Sequence, residues 1–123
     1  MKWSLQQLYR YHEYPLEFNG VTNYDEYLKT ADIIRMDEVK YSGTALCMDD
    51  DIYRFEIHIV TKLYLEDART LEEVEFPIDI EVTEVFGKDP EDEEMRYVEK
   101  NTIDLYDIIW ENILLEKPMR ICK

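Results

Sequence analysis

Apolar and polar residues alternate along three stretches in the middle of the chain, and this alternation predicts three β-strands. The first stretch, Val39–Cys47, alternates small apolar residues with polar ones. One face of the second stretch is strongly apolar: Tyr53, Phe55, Ile57, Ile59, Leu63 and Leu65. The third stretch, Val74–Phe86, alternates apolar residues with acids until the pattern slips at Val85-Phe86, where we expect a bulge or the strand end. Pro77 indicates that part of this strand lies at a sheet edge.

The turns and lengths of these stretches predict how the strands pair. Asp49-Asp50-Asp51 separates the first two strands as a hairpin turn. The strand at Tyr53–Leu65 is long for a globular protein, which favours a bent strand that serves two parts of a barrel. We therefore expect an antiparallel sheet curled into an open, partial β-barrel.

Short helices flank the sheet in this prediction. Ser4 is a candidate cap for a helix over Ser4–Tyr11, and a second short helix is predicted over Glu26–Ile33. The C-terminal helix is predicted over Asn101–Leu115, with Asp104 as its cap. Brief strands are expected at Met95–Val98 and Met119–Cys122. The fold class is therefore α+β.

The chain is expected to form one domain over residues 1–123, because two halves of this length would each be too small to hold a core. The predicted core collects apolar residues from the strands and the C-terminal helix: Phe55, Ile57, Ile59, Leu63, Phe76, Ile78, Ile80, Ile109, Trp110 and Ile113. A run without apolar residues, at about 87–94, is expected to be an acidic, mobile loop.

Charge narrows the choice of partner. The formal net charge is −15, with nine acids and four bases in residues 24–56 and fourteen acids and four bases in residues 57–99. Such a field repels phosphate backbones and favours a basic protein. The plain alternative is that the acids only keep the surface hydrated. The terminal regions are balanced in charge, and their bases are candidates for a modest RNA-facing patch with Trp3, Tyr9 or Trp110 as stacking surfaces.

Candidate chemistry is sparse. Neither His12 nor His58 has a motif around it, and three scattered glycines make no phosphate loop. Cys47 and Cys122 make no disulfide framework. We expect no catalytic residue, no metal, no cofactor, no small-molecule substrate and no membrane segment, and we place the protein in the cytoplasm. It is expected to act by binding rather than as an enzyme. The candidate partner-binding residues are Arg69, Lys100, Lys117, Arg120, Asp49, Asp50, Asp51, Glu91, Asp92, Glu93 and Glu94.

Two stretches resemble the bacterial YceD family. Val60–Phe86 (VTKLYLEDARTLEEVEFPIDIEVTEVF) is similar to its middle block, and Ile103–Met119 (IDLYDIIWENILLEKPM) to its C-terminal signature. The resemblance implies a role in the accumulation of 23S rRNA and hence in ribosome biogenesis, without a known enzymatic step. Its implied partner is a large-subunit component, either a basic ribosomal protein or 23S rRNA. Family members usually continue in a charged tail, so the natural chain is expected to extend beyond Lys123.

The chain departs from the family at one motif. Many members have Cys-x-Arg-Cys where this chain has Asp67-Ala68-Arg69-Thr70, so the thiolates of a zinc site are missing. Only Arg69 is retained, and we weigh an ion pair with Glu66, Glu72 or Glu73 against direct contact with a partner. The alternative to a ribosomal role is a general acidic interaction module, a nucleic-acid mimic that binds some unrelated basic protein.

Overall fold

A computed structural model describes residues 1–48 and 51–118. A 3-10 turn forms at Asp25–Tyr27. In chain order the elements are β1 (Lys2–Ser4), α1 (Leu5–Leu8), β2 (Leu16–Thr22), β3 (Arg35–Met36), β4 (Val39–Cys47), β5 (Tyr53–Glu66), β6 (Glu73–Gly87), β7 (Arg96–Tyr97), β8 (Thr102–Asp104) and α2 (Tyr106–Glu116). The three strands predicted from alternation are confirmed as β4, β5 and β6.

The main sheet is built around β5 and β6. Its strand order is β2-β4-β5-β6-β7, and β3 pairs with β5 beyond the end of β4. The long strand β5 therefore pairs with two strands on one side, while its service to two parts of a barrel stays a prediction. All of these pairs are antiparallel except β6 with β7, which is parallel. Within the described residues no ladder joins β2 to β7, so the sheet is open, and its curling into a partial barrel stays a prediction.

The core lies on one face of this sheet, beneath α1, α2 and the segment around Tyr24. Eight of the ten predicted core residues are buried, and the other two, Phe76 and Ile80, are half-buried against the core. Both belong to β6, which has a neighbouring strand on one side only at that point. The small residue Gly43 lies opposite Phe18, and that ring packs with Trp3 and Phe55 at 5.1 and 6.0 Å.

Strands β1 and β8 form a second, two-stranded sheet that the sequence did not predict. Strand β1 pairs antiparallel with β8, so that Trp3 lies opposite Ile103. The backbone N–H of Leu5 also donates to the carbonyl of Asn101 at 2.9 Å. This pairing shortens the predicted C-terminal helix, which begins at Tyr106 instead of Asn101. Asp104 lies outside that helix, and its carboxylate accepts from the N–H of Tyr106 at 3.0 Å.

The N-terminal helix is confirmed with a shorter span. Ser4 caps it, because the Ser4 hydroxyl accepts from the N–H of Gln7 while the Gln7 side chain accepts from the N–H of Ser4. The helix predicted over Glu26–Ile33 was wrong. Only a 3-10 turn forms there, without a side-chain cap, and Asp32 has a positive φ of 61° that no α-helix tolerates.

Of the two alternatives expected at Val85-Phe86, the strand end is confirmed, because β6 ends at Gly87, and the bulge is not found. The register of β5 with β6 runs unbroken from Tyr53 opposite Phe86 to Glu66 opposite Glu73. The apolar pattern slips because Glu84 takes a core-facing position. Its carboxylate is held there by Arg96, at 2.6 Å, and by the side-chain amide of Asn112, at 3.2 Å. An acid can therefore occupy the inner face when charged and amide donors meet it.

Candidate functional site

The acidic loop predicted at 87–94 connects β6 to β7, and its acids take part in turns. The Asp89 carboxylate accepts from the N–H of Glu91 at 3.0 Å, and the Asp92 carboxylate accepts from the N–H of Glu94 at 2.9 Å. Glu91, Glu93 and Glu94 are exposed, and Asp92 is half-buried. The loop therefore presents carboxylates to solvent, while its mobility stays a prediction.

The other predicted acidic site is the turn between β4 and β5. Asp49 and Asp50 lie outside the described residues. Asp51 has a positive φ of 59°, and its carboxylate accepts from the hydroxyl of Tyr53 at 3.4 Å. The turn is closed by the N–H of Met48, which donates to the carbonyl of Ile52 at 2.6 Å.

The hairpin loop (residues 67–72) is organised by Asp67, the first residue of the motif at which the sequence departs from the resemblance described above. Asp67 is only 1% exposed, and its carboxylate accepts from the N–H groups of Arg69 and Thr70 at 2.8 and 3.0 Å. The Asp67 backbone adds a bond to the carbonyl of Glu72 and one from the N–H of Leu71. Hydrogen bonds from two backbone N–H groups to the Asp67 carboxylate thus hold the loop.

Arg69 stands exposed on this hairpin loop. Among the described residues no ion pair joins it to Glu66, Glu72 or Glu73, and its contact with a partner stays a prediction. Glu73 instead binds Arg35 at 2.7 Å. The loop lies at the far end of β5 from Tyr53, roughly 40 Å away at the rise of an extended strand. Arg69 is therefore distant from the acidic loop and from Lys100.

Among residues 1–48 and 51–118, the terminal bases Lys100 and Lys117 lie apart. Lys2 and Lys100 are exposed beside the β1–β8 pair, but Lys117 follows the other end of α2, about 16 Å along the helix axis. Arg120 lies outside the described residues. Two of the proposed stacking surfaces are also occupied: Trp3 packs against Phe18, and Trp110, 8% exposed, stacks on Tyr24 at 5.1 Å. Of the three aromatic residues, Tyr9 alone is strongly exposed, at 59%.

A further acidic surface was missed as a site: the outer face of the sheet, opposite the core. On β5 and β6 this face carries six carboxylates and two bases, namely Glu56, Glu66, Glu73, Glu75, Asp79 and Glu81 with Arg54 and Lys62. A shallow groove of about 500 Å³ crosses it, lined by Ser42, Thr44, Glu56, His58, Glu81 and Thr83 among others. The alternation of acids along Val74–Val82 was the available signal, since one face of a strand takes every second residue.

Neighbouring bases meet several of these carboxylates at the surface. Lys62 lies 3.5 Å from Glu75, and His58 lies 2.5 Å from Asp79. Glu81 lies opposite His58 in the register and makes no ion pair within the described chain. Exposed pairs of this kind contribute little to stability and exchange readily. The outer face is therefore negative and open to a cationic partner.

Tyr24 and Tyr27 use their hydroxyl groups to hold the segment around Tyr24 against α2. The Tyr24 hydroxyl donates to the carbonyl of Tyr106 at 2.7 Å, and burial raises the pKa of Tyr24 far above its ordinary value. A hydrogen bond to Asp107 likewise raises the pKa of Tyr27. Both phenols therefore stay protonated and act as donors.

Within residues 1–48 and 51–118, no three His, Cys, Asp or Glu side chains are placed to hold a metal. No helix in these ranges is long and apolar enough to cross a bilayer.

Comparison with known proteins gives two matches. A family model described as "Large ribosomal RNA subunit accumulation protein YceD" matches residues 55–123. "Uncharacterized protein YlbN" of Bacillus subtilis (strain 168) is 34% identical over 126 residues, which cover 98% of this chain and 73% of the relative. No solved structure is significantly similar. The region matched by the family model contains β6, the hairpin loop and the acidic loop.

Proposed function

The chain belongs to the YceD family, and on that premise we propose that it acts in assembly of the large ribosomal subunit by binding a component of that subunit. The family description, large ribosomal RNA subunit accumulation, supports the process. The direct partner in this proposal is a basic ribosomal protein, and no chemical step is assigned to the chain.

The observation that carries the choice of partner is the acidic outer face. Its carboxylates lie in rows on β5 and β6, and the net charge of the whole chain is −15. A surface of this sign attracts a cationic protein over long range and repels an RNA backbone. Binding to naked rRNA would require a compact basic patch, and of the described bases Lys100 and Lys117 lie at opposite ends of α2.

We also assign roles to the predicted site residues. Asp49–Asp51 and Glu91–Glu94 add carboxylates for the basic partner, while Lys100, Lys117 and Arg120 are secondary RNA contacts. Arg69, which is exposed and makes no ion pair within residues 1–48 and 51–118, is a candidate for direct contact with a partner. The proposal treats residues 1–123 as a single domain, which the pairing of β1 with β8 supports because it ties the two ends together.

The test compares binding to 23S rRNA fragments with binding to isolated basic large-subunit proteins, each over a series of salt concentrations. We expect the proteins to bind at physiological salt, with affinity that falls as salt rises, and the rRNA fragments to bind only at low salt. Binding of rRNA without the proteins would overturn the choice of partner.

A second measurement asks what the chain captures in cells. Large-subunit precursors should co-purify with it. If only basic proteins unrelated to the ribosome are recovered, the alternative of a general acidic module, or nucleic-acid mimic, replaces the ribosomal role.

A further inference from the structure

Strand β6 has a free edge. On one side it pairs with β5 along its whole length, from Glu73 to Phe86. On the other side only Phe86 and Gly87 pair, with β7, and no other described strand lies there. The stretch of β6 before Phe86 therefore presents one row of backbone N–H and C=O groups without a strand partner among residues 1–48 and 51–118.

Two hydrogen bonds fix which residues face that edge. The carbonyl of Glu72 accepts from the N–H of Asp67, on the β5 side, while the carbonyl of Gly87 accepts from Val98, on the β7 side. Backbone groups alternate along a strand and the register has no bulge, so the odd-numbered residues of β6 point their N–H and C=O groups away from β5. Pro77 is one of these odd-numbered residues, and the N–H that proline lacks would have faced the free edge rather than β5.

The side chains beside this edge differ between the two faces. On the outer face stand the carboxylates of Asp79 and Glu81, both exposed. On the core face stand Ile80 and Val82, which are half-buried and leave apolar surface at the rim of the core. An extended chain laid along the edge would place its side chains alternately beside these two rows.

We propose that Pro77–Val85 accepts an extended segment of a basic large-subunit protein as an additional strand of the sheet. The lysines or arginines of that segment lie beside Asp79 and Glu81. Its intervening apolar residues pack against Ile80 and Val82 at the edge of the core. Main-chain hydrogen bonds supply affinity, and the alternation of the two rows supplies specificity. This inference rests on the proposed function, since it names how the basic partner is held.

The charges on the edge favour this occupant over two others. A second copy of β6 would bring its own Asp79 and Glu81 beside the same acidic row, and like charges across a strand pair are destabilising. A nucleic acid carries the same sign of charge as the row and has no peptide groups to continue the ladder.

Amide hydrogen exchange tests the free edge directly. In the protein alone, the N–H groups of Asp79, Glu81 and Thr83 should exchange fast, while those of Ile78, Ile80 and Val82 should be slowed by their bonds to β5. Equal protection of both sets would mean that the edge is already covered, for example by residues 119–123, and would overturn the inference.

The binding probe is a peptide of about nine residues with alternating lysine and valine, which matches the length of the edge. It should slow exchange at Asp79, Glu81 and Thr83. The same peptide N-methylated at every second residue keeps its charge and loses the main-chain donors, so it should bind at least about tenfold more weakly. A peptide with its lysines and valines in separate blocks controls for charge alone and should also be weaker.

The protein variant is Thr83→Pro. Thr83 is odd-numbered like Pro77, so the substitution removes an N–H that faces the free edge and leaves the hydrogen bonds to β5 in place. It should weaken the alternating peptide about tenfold with a nearly unchanged melting temperature. The matched control, Glu13→Gln with Glu99→Gln and Glu116→Gln, removes three exposed charges outside the sheet edge and the acidic loop and should leave peptide binding nearly unchanged. If N-methylation costs nothing, the peptide is held by charge and the strand model is refuted.

The two proposals fail separately. If the Thr83→Pro variant captures as much large-subunit protein as the parent chain, edge binding is refuted and the ribosomal role remains intact. Peptide binding with no capture of any large-subunit component would refute the ribosomal role instead.

Discussion

Removing the Asp67 carboxylate tests whether hydrogen bonds hold the hairpin loop in place of a metal. In Asp67→Ala the N–H groups of Arg69 and Thr70 lose acceptors at 2.8 and 3.0 Å. A hydrogen bond to a charged group contributes about 1.5–3 kcal/mol to stability. Water can reach both N–H groups because Arg69 and Thr70 are exposed, and the variant no longer buries a carboxylate. We therefore expect the free energy of unfolding to fall by about 2–3 kcal/mol in total.

Urea unfolding measures this change as a lower midpoint with an unchanged slope. Asp67→Asn keeps an acceptor oxygen without the charge and should lose about half as much. The matched control is Asp92→Ala, which removes one acceptor at 2.9 Å from a half-buried turn and should cost less than about 1 kcal/mol. If Asp67→Ala is no more destabilised than Asp92→Ala, the carboxylate is not what holds the loop.

Three other results are expected. Phe55→Ala should lower the free energy of unfolding by about 3–5 kcal/mol in urea, because the ring is fully buried; a loss under about 1 kcal/mol would place that face outside the core. Protein purified without added metal should hold no zinc by elemental analysis, and a chelator should leave its melting temperature unchanged; one equivalent of zinc would refute this. Burial raises the pKa of Tyr53 above its ordinary value of 10.0, so above about pH 10 the unfolded chain alone releases that proton and stability falls as pH rises. Tyr53→Phe should reduce that decline by about 1.4 kcal/mol per pH unit, and an unchanged slope would contradict the assignment.

Local pattern was sufficient to predict the strands that build the main sheet. Residues Tyr53 to Leu65 alternate so regularly that only an extended chain with one buried face satisfies them, and β5 has that face. The same reasoning failed where a polar residue occupied a core-facing position. Glu84 interrupts the apolar alternation of β6, and the alternation alone could not show that Glu84 faces the core. The residues that hold it there, Arg96 and Asn112, lie twelve and 28 residues away in the sequence.

The acidic outer face and the role of Asp67 were not predicted, because both depend on contacts between residues that are distant in the sequence or are set by the folded loop. The acidic loop and the turn at Asp51 are visible as runs of acids, whereas the acidic row on the outer face depends on which residues share a side of β6. The pairing of β1 with β8 joins segments a hundred residues apart and has no local signal, so the predicted helix began too early. The role of Asp67 also depends on geometry, since its two donors are identified only once the loop is folded.

The pairing of β1 with β8 also determines when the protein can finish folding. During synthesis Lys2–Ser4 emerges first, but its partner Thr102–Asp104 emerges only near the end of the chain described here. Contacts of such sequence separation form late and slow the folding reaction, because a long loop must close before they contribute. Strand β1 should thus lack its strand partner on the nascent chain until residue 104 is free, even when β4, β5 and β6 are already paired.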